Sequence, residues 1–450
     1  MTIYKFGNML LAGGLLASTL FVASAAAESK ARIVRLSDVE GTVQMDRATG
    51  DGFEKAFLNL PVIEGSHLKT GKDGRAEVEF EDGSALRLGP DSELAFTRLA
   101  LGDDGQKFNT VQLLSGTAYG NLREKKDDQF QLNFAKESIT VPEAAHFRVV
   151  LDDANATVAV FKGHVDASGP SGKAEVAEKH SATIDLASTD GSSKDAIVLA
   201  KNYDQDPLDG WDRQQNDYHD RYATTKGSSF NSPYGYGVSD LNYYGNFMNV
   251  PGYGYAWQPF LMDASWSPFM DGAWSYYPGA GYMWVSGYPW GWMPYRYGNW
   301  AFVPGYGWIW QPGYWNTYYA IPRVVNPPAR WKAAMPPTTG HSTVLVGRGL
   351  TSNPPITARR MTITPGSAGF GVPRGSVRHL DHVAKTVERT SAPVVIAPQP
   401  PAQTNNSGFG TRPTFNNGGI RNGGDGGGRS APPMAAPPVR SSPPRSAPHK

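Results

Sequence analysis

The chain of 450 residues contains no cysteine. That absence excludes a disulfide scaffold, a thiolate metal site, a cysteine nucleophile and a lipid-modified N-terminal cysteine. Charge imbalance is missing too. With 42 basic residues against 41 acidic ones, the whole chain carries no electrostatic footprint for nucleic acid. Long apolar runs are absent beyond the N-terminus. There, residues 9–23 are apolar or small, follow Lys5, and precede the small-x-small sequences Ala23-Ser24-Ala25 and Ala25-Ala26-Ala27. A membrane span needs about 20 apolar residues, and this run is shorter. Residues 1–27 are therefore expected to be a signal peptide. The protein is expected to be exported, periplasmic or secreted, not a lipoprotein, with no transmembrane segment in the mature chain.

Catalytic signatures are also lacking. There is no Gly-x-Ser-x-Gly, no His-Glu-x-x-His and no phosphate-cradling Gly-x-x-x-x-Gly-Lys. Asp212, Asp217, His219 and Asp220 invite a metal reading, but adjacent His219 and Asp220 point different ways on a helix. A solvated helix face is expected instead. The chain is expected to be no enzyme, with no catalytic residue, no cofactor and no metal.

What is present is sharply partitioned. Residues 28–200 carry 20 basic and 29 acidic side chains, residues 201–320 carry 5 and 9, and residues 321–450 carry 16 and 3. Neutrality is thus a cancellation of −9, −4 and +13 against the charge of Lys5. All 12 tryptophans lie between Trp211 and Trp331, and 21 of the 35 prolines lie after residue 320.

The first block alternates apolar and polar residues. Arg75-Ala76-Glu77-Val78-Glu79-Phe80 and Leu86-Arg87-Leu88 flank the turn signal Asp82-Gly83. Similar runs recur at Phe130/Leu132/Phe134, Phe147/Val149/Leu151 and Val158/Val160. Many short strands without helices predict an all-β fold, solenoid- or sandwich-like, over residues 28–200. Within 201–225, Leu208, Trp211, Gln215, Tyr218 and Tyr222 recur at helical spacing and predict a helical linker.

Residues 226–320 contain a repeat. Trp274, Pro278, Gly279 and Trp284 recur 26 positions later as Trp300, Pro304, Gly305 and Trp310, and Phe247, Pro251, Gly252 and Trp257 form an earlier copy. Each copy predicts a strand, a Pro-Gly turn and a second strand. One hairpin cannot bury such an aromatic face alone, so the copies must share it. Two readings follow: the rings form a common core, or some stay exposed as platforms for sugar rings. The candidate platform is the turn set Trp266, Phe269, Trp290, Trp292 and Tyr295. Base stacking on nucleic acid needs interleaved cations, and Arg296 is nearly alone. Residues 321–397 are expected to be a partly ordered extension, and residues 398–450, rich in Pro, Gly and Arg, a disordered tail able to contact anionic envelope polymers.

Two resemblances add to this reading. Thr70-Gly71-Lys72-Asp73-Gly74-Arg75, followed by Asp82-Gly83-Ser84 and Val160-Phe161-Lys162-Gly163-His164-Val165, resembles the FecR domain family over about residues 33–186. This implies an all-β, extracytoplasmic domain of a kind used in signal relay. A relay that reaches a cytoplasmic sigma factor needs a membrane span before the domain, so a direct regulator of that sort is not expected here. Residues 239–313, with Trp266-Ser267-Pro268-Phe269 and Trp290-Gly291-Trp292-Met293-Pro294-Tyr295, resemble the aromatic repeat region that follows FecR-like domains in exported bacterial proteins. The resulting expectation is a non-enzymatic exported protein that binds an envelope protein or scaffolds in the envelope. The alternative is a module binding cell wall or polysaccharide.

Overall fold

The alternation over residues 75–88 forms an antiparallel pair: Arg75–Glu79 runs against Ala85–Leu88 with Ala76 opposite Leu88 and Glu79 opposite Ala85. Gly83 at the turn takes a φ of 85°, which only glycine adopts freely. The structure is a computed structural model that describes residues 32–123, 128–188, 196–223, 230–351 and 360–398. The signal peptide expected over residues 1–27 and the tail from residue 399 onward lie outside the described residues.

Among the described residues, seventeen strands form the first body, connected through one long strand, Lys107–Leu122. Its first half pairs with Glu93–Leu101 and, in parallel, with Gln129–Phe134. Its second half pairs with Ala85–Leu88 and Ala145–Leu151. The crossover sits at Gly116, whose φ is 80° and where any side chain would collide with Ser92. Two layers result. Inward residues of one (Leu36, Val78, Leu88, Val149, Val158) meet those of the other (Met45, Leu68, Phe96, Val111, Leu132) in one buried core. Of the two architectures left open by the sequence, this is the sandwich, because period-2 strands bury one face each and close against a second sheet.

The aromatic region forms three hairpins. Gly245–Val250 pairs with Gly254–Pro259, Gly272–Tyr277 with Gly281–Ser286, and Asn299–Val303 with Gly307–Gln311. The repeat fixes the same cross-strand pair each time: Phe247 opposite Trp257, Trp274 opposite Trp284, and Trp300 opposite Trp310. The first and third hairpins join through Trp257 and Trp310, while the second takes on Val344–Val346 from the extension. The indoles then pack on one another, with Trp257 and Trp290 at 4.8 Å and Trp266 and Trp300 at 5.7 Å between ring centres. These separations are those of favourable tilted and edge-to-face pairs.

The extension completes this core. Ile363, Val372, Val377, Leu380, Ala384 and Val387 all pack into the aromatic cluster, the last three from the helix Leu380–Thr390. The helix Asp209–Tyr222 lies within the segment read as a helical linker, and Trp211 and Tyr218 are buried on it. No helix among the described residues is long and apolar enough to cross a membrane.

In every copy, a glycine at the start of the hairpin or just before it lies flat on the closing tryptophan. A side chain at Gly245, Gly272 or Gly298 would collide with Trp257, Trp284 or Trp310 respectively. Gly272→Ala is accordingly expected to lower unfolding free energy in urea by about 1–3 kcal/mol, the range for overpacking a core. Gly210→Ala, on the helix with open space around it, should instead raise stability by roughly 0.5–1 kcal/mol.

Candidate functional site

A strand with Ala76 and Val78 directed into the core must direct Glu77 and Glu79 out of it. In an isolated sandwich those carboxylates would face water. Here the outer face is covered by the helix Asp209–Tyr222, by the helix Val238–Tyr244 and by the segment around Arg374, so Glu77 and Glu79 are buried. A buried ion is tolerated only with partners, and each has several. One oxygen of Glu77 accepts from Arg374 at 2.6 Å, from the Ser37 hydroxyl at 2.7 Å and from His219 Nε2 at 3.0 Å. The other accepts from Arg87 Nε at 2.7 Å. Arg87 also donates to Asp212 at 2.7 Å, and Asp212 meets His146 Nε2 at 2.6 Å. Arg35 bridges Glu79 at 2.9 Å and Asp240 at 2.6 Å, and Asp240 accepts from the Tyr218 hydroxyl at 2.7 Å.

These contacts set the titration of the cluster. Burial pushes Glu77 up, but His219, Arg374 and Arg87 outweigh it and hold the carboxyl well below its usual range. Burial likewise opposes ionisation of Asp212 and Asp240. Arg87 and His146 hold the first below its ordinary value, and Arg374 and Arg35 the second. At the margin Glu40 behaves oppositely: burial and the neighbouring charge of Asp38 raise it to about 7 despite Arg75 and Arg374. Asp212 and His219, read from sequence as a solvated helix face, are therefore buried members of this network. Every partner comes from a distant segment, which local periodicity does not reveal.

The five candidate platform rings are not a platform. Trp290, Trp292 and Tyr295 are 0% exposed, Trp266 2% and Phe269 5%. The turn that carries Trp290, Trp292 and Tyr295 tucks inward and ends in the short helix Met293–Arg296, and three of the five rings find hydrogen-bond partners inside, while the buried Trp292 indole N–H has none. Trp266 donates to the Tyr288 hydroxyl, Trp290 to the Ala368 carbonyl and Tyr295 to the Pro268 carbonyl. A ring with no free face cannot receive a sugar, so the set belongs to the core.

Asp82-Gly83-Ser84 is a junction. The Ser84 amide and hydroxyl both donate to Asp82, and the hydroxyl accepts from the Arg123 amide. Gly235, which leads into the aromatic hairpins, donates its amide to the Glu81 carbonyl, and any side chain there would strike Asp82. The motif thus receives the aromatic region against the sandwich.

Along the same seam lies a cavity of about 730 Å³ lined by Tyr236, Tyr277, Tyr297 and Tyr318 together with Ile63 and Leu99. Arg32 reaches its wall, held by two bonds to Glu81 at 2.9 and 2.5 Å. Tyr236 and Tyr297 share a hydroxyl contact at 2.5 Å, and Tyr277 donates to the Pro61 carbonyl at 2.8 Å. The Tyr318 hydroxyl is buried without a partner, and burial lifts it to about 12 against the charge of Arg296. Sequence reasoning passed over these tyrosines. The signal was a departure within the repeat: Tyr277 precedes its Pro-Gly turn where the other copies have Val250 and Val303.

Comparison with known proteins agrees with both resemblances. Residues 66–166 match the family described as FecR protein, and residues 238–336 match a family of unknown function, DUF6600. Asp82-Gly83-Ser84 falls within the first and the three hairpins within the second. No curated protein matches the chain. Two crystal structures of a candidate anti-sigma factor from Parabacteroides distasonis ATCC 8503 are similar at 17% and 16% identity, each with a TM-score of 0.27 over 32% of this chain. The present chain spans 63% of that protein's solved length.

The network sets a pH dependence with a definite sign. Glu77, Asp212 and Asp240 have folded values below their ordinary 4.5, 3.8 and 3.8, so they contribute stability above those values and lose it as pH falls through the folded ones. Glu40 has a folded value above its ordinary 4.5, so its contribution is present below 4.5 and is lost as pH rises through about 7. Melting temperature is expected to drop on the acid side in wild type, and Glu40→Gln should flatten its decline between 4.5 and about 7. Glu77→Gln, which removes the one carboxylate shared by Arg87, Arg374 and His219, should cost about 3–5 kcal/mol in urea unfolding.

Proposed function

We propose that the chain is a non-enzymatic, exported FecR-domain protein that binds a partner protein, or scaffolds, in the cell envelope, and that the tyrosine-lined seam cavity receives the partner. The cavity carries this reading. Its volume of about 730 Å³ falls in the range of ligand sites, which combine apolar walls with a few directed polar groups. Ile63, Leu99 and the tyrosine rings supply the walls, and the Tyr318 hydroxyl and Arg32 supply the polar points. The outer face of the Arg35, Glu77 and Arg87 layer is already covered by the chain itself, which leaves the seam as the place for an apolar side chain of a partner. Export rests on the apolar N-terminal run and the Ala-x-Ala sequences.

Ala280 is exposed at the cavity mouth. Ala280→Trp is expected to abolish capture of envelope proteins by the immobilised chain while leaving the melting temperature unchanged. Capture that survives this substitution contradicts the seam as the binding place. Fractionation of producing cells should recover the protein outside the cytoplasm with a new N-terminus between residues 26 and 28. A cytoplasmic, unprocessed chain contradicts export.

A further inference from the structure

A second cavity, of about 670 Å³, opens between the sandwich and the helix Asp209–Tyr222. It is separate from the seam and stands on different residues. Its sheet wall is one row across three neighbouring strands, because His146 lies opposite Asn121 on one side and opposite Lys162 on the other. The row contains a bulge: His146 pairs with Lys162 but Phe147 pairs with Val160, so Phe161 is the extra residue. A bulge re-aims the side chain it carries and is common beside binding sites. The Phe161 ring lies 4.6 Å from the His146 ring and stands edge-on to the half-buried Tyr203 at 5.0 Å. The helix wall is built from Asp209, Asp212, Asn216 and Asp220, three or four residues apart on one stripe, with Arg213 beside them.

The polar groups sort into satisfied and open ones. Asp209 is engaged by Arg148 at 2.5 Å, and Asp212 by Arg87 at 2.7 Å and His146 at 2.6 Å. The Asp212 carboxylate accepts from His146 Nε2, which leaves Nδ1 as the ring nitrogen not used in that pair. Asn121 donates to Asn216 at 2.6 Å, which leaves the Asn121 carbonyl oxygen open. Around these, Arg123, Lys162 and Arg213 are exposed cations against a single exposed carboxylate, Asp220. The open groups therefore favour an anion. Two aromatic walls and polar partners for hydroxyl groups, His146 Nδ1 and the Asn121 carbonyl oxygen, favour a flat, hydroxylated ring over a bare inorganic anion.

We propose that this groove binds an acidic saccharide, with its sugar ring against Phe161 and Tyr203, its hydroxyls on His146 and Asn121, and its carboxylate on Lys162 and Arg213. Titration calorimetry with an oligogalacturonate, and with a neutral cello-oligosaccharide of equal length, tests it on the full chain. The oligouronate should bind, the neutral oligomer should bind at least about tenfold more weakly, and added salt should weaken the former. Tyr203→Ala and Arg213→Glu should each reduce oligouronate affinity by about tenfold or more. Both positions lie outside the buried core, so melting temperatures should hold, and Ala280→Trp should leave this affinity unchanged. The assignment is overturned if folded wild type does not bind the oligouronate, if the neutral oligomer binds equally, if inorganic phosphate displaces the oligouronate at equal concentration, or if both groove variants keep wild-type affinity.

Discussion

Glu77 is the point on which the arrangement depends. It is fully buried, charged, and bound at once to Arg87 of its own sheet, to His219 of the following helix and to Arg374 of the extension. Desolvating so many ions offsets most of their mutual attraction, so the network adds little net stability. Its effect is selective. Any docking of the aromatic region that misses its partners leaves a bare charge inside the protein, and that penalty is several kcal/mol per ion. Arg35 extends the same logic, reaching Glu79, Asp240 and the Pro289 carbonyl with one guanidinium.

The aromatic hairpins supply the apolar counterpart. Their indoles fill a core that three short hairpins could not close separately, and the extension finishes it with Val372, Val377 and Leu380. With no cysteine, the chain depends on this combination: ring packing provides the burial, and the ionic network decides where the buried surfaces meet. The Asp82-Gly83-Ser84 turn belongs to the same junction, because it accepts the backbone of Gly235 where only a glycine fits. Both cavities are by-products of this docking. The seam cavity lies where tyrosines rather than tryptophans meet the sandwich, and the His146 groove lies where the helix crosses the sheet.

Strands, hairpins and the linker helix were legible because each has a local period: two for Arg75–Glu79, about 26 for the tryptophans, and three to four for Trp211, Gln215 and Tyr218. The polar half of each period was not legible. Glu77 and Glu79 alternate with core residues as any solvent-facing pair would, and what buries them sits far along the chain: His219 is 142 positions from Glu77, and Arg374 is 297. The fate of Trp290, Trp292 and Tyr295 was open for the same reason. A turn rich in rings reads alike whether it faces water or folds under a sheet, and tertiary packing decided for the core. The bulge at Phe161 is set by strand register, which sequence alone left unspecified.

The central claim is that buried charges fuse the sandwich and the aromatic region into one cooperative unit. All 12 tryptophans lie outside the sandwich strands, in the helix, the aromatic region and the extension, so tryptophan fluorescence follows that part of the chain. The most direct test follows urea unfolding by tryptophan fluorescence and by amide exchange of the sandwich strands Lys107–Leu122 and Ala145–Leu151. The account predicts coincident transitions with a single midpoint. Tryptophan exposure at a urea concentration where those strands remain fully protected would contradict it.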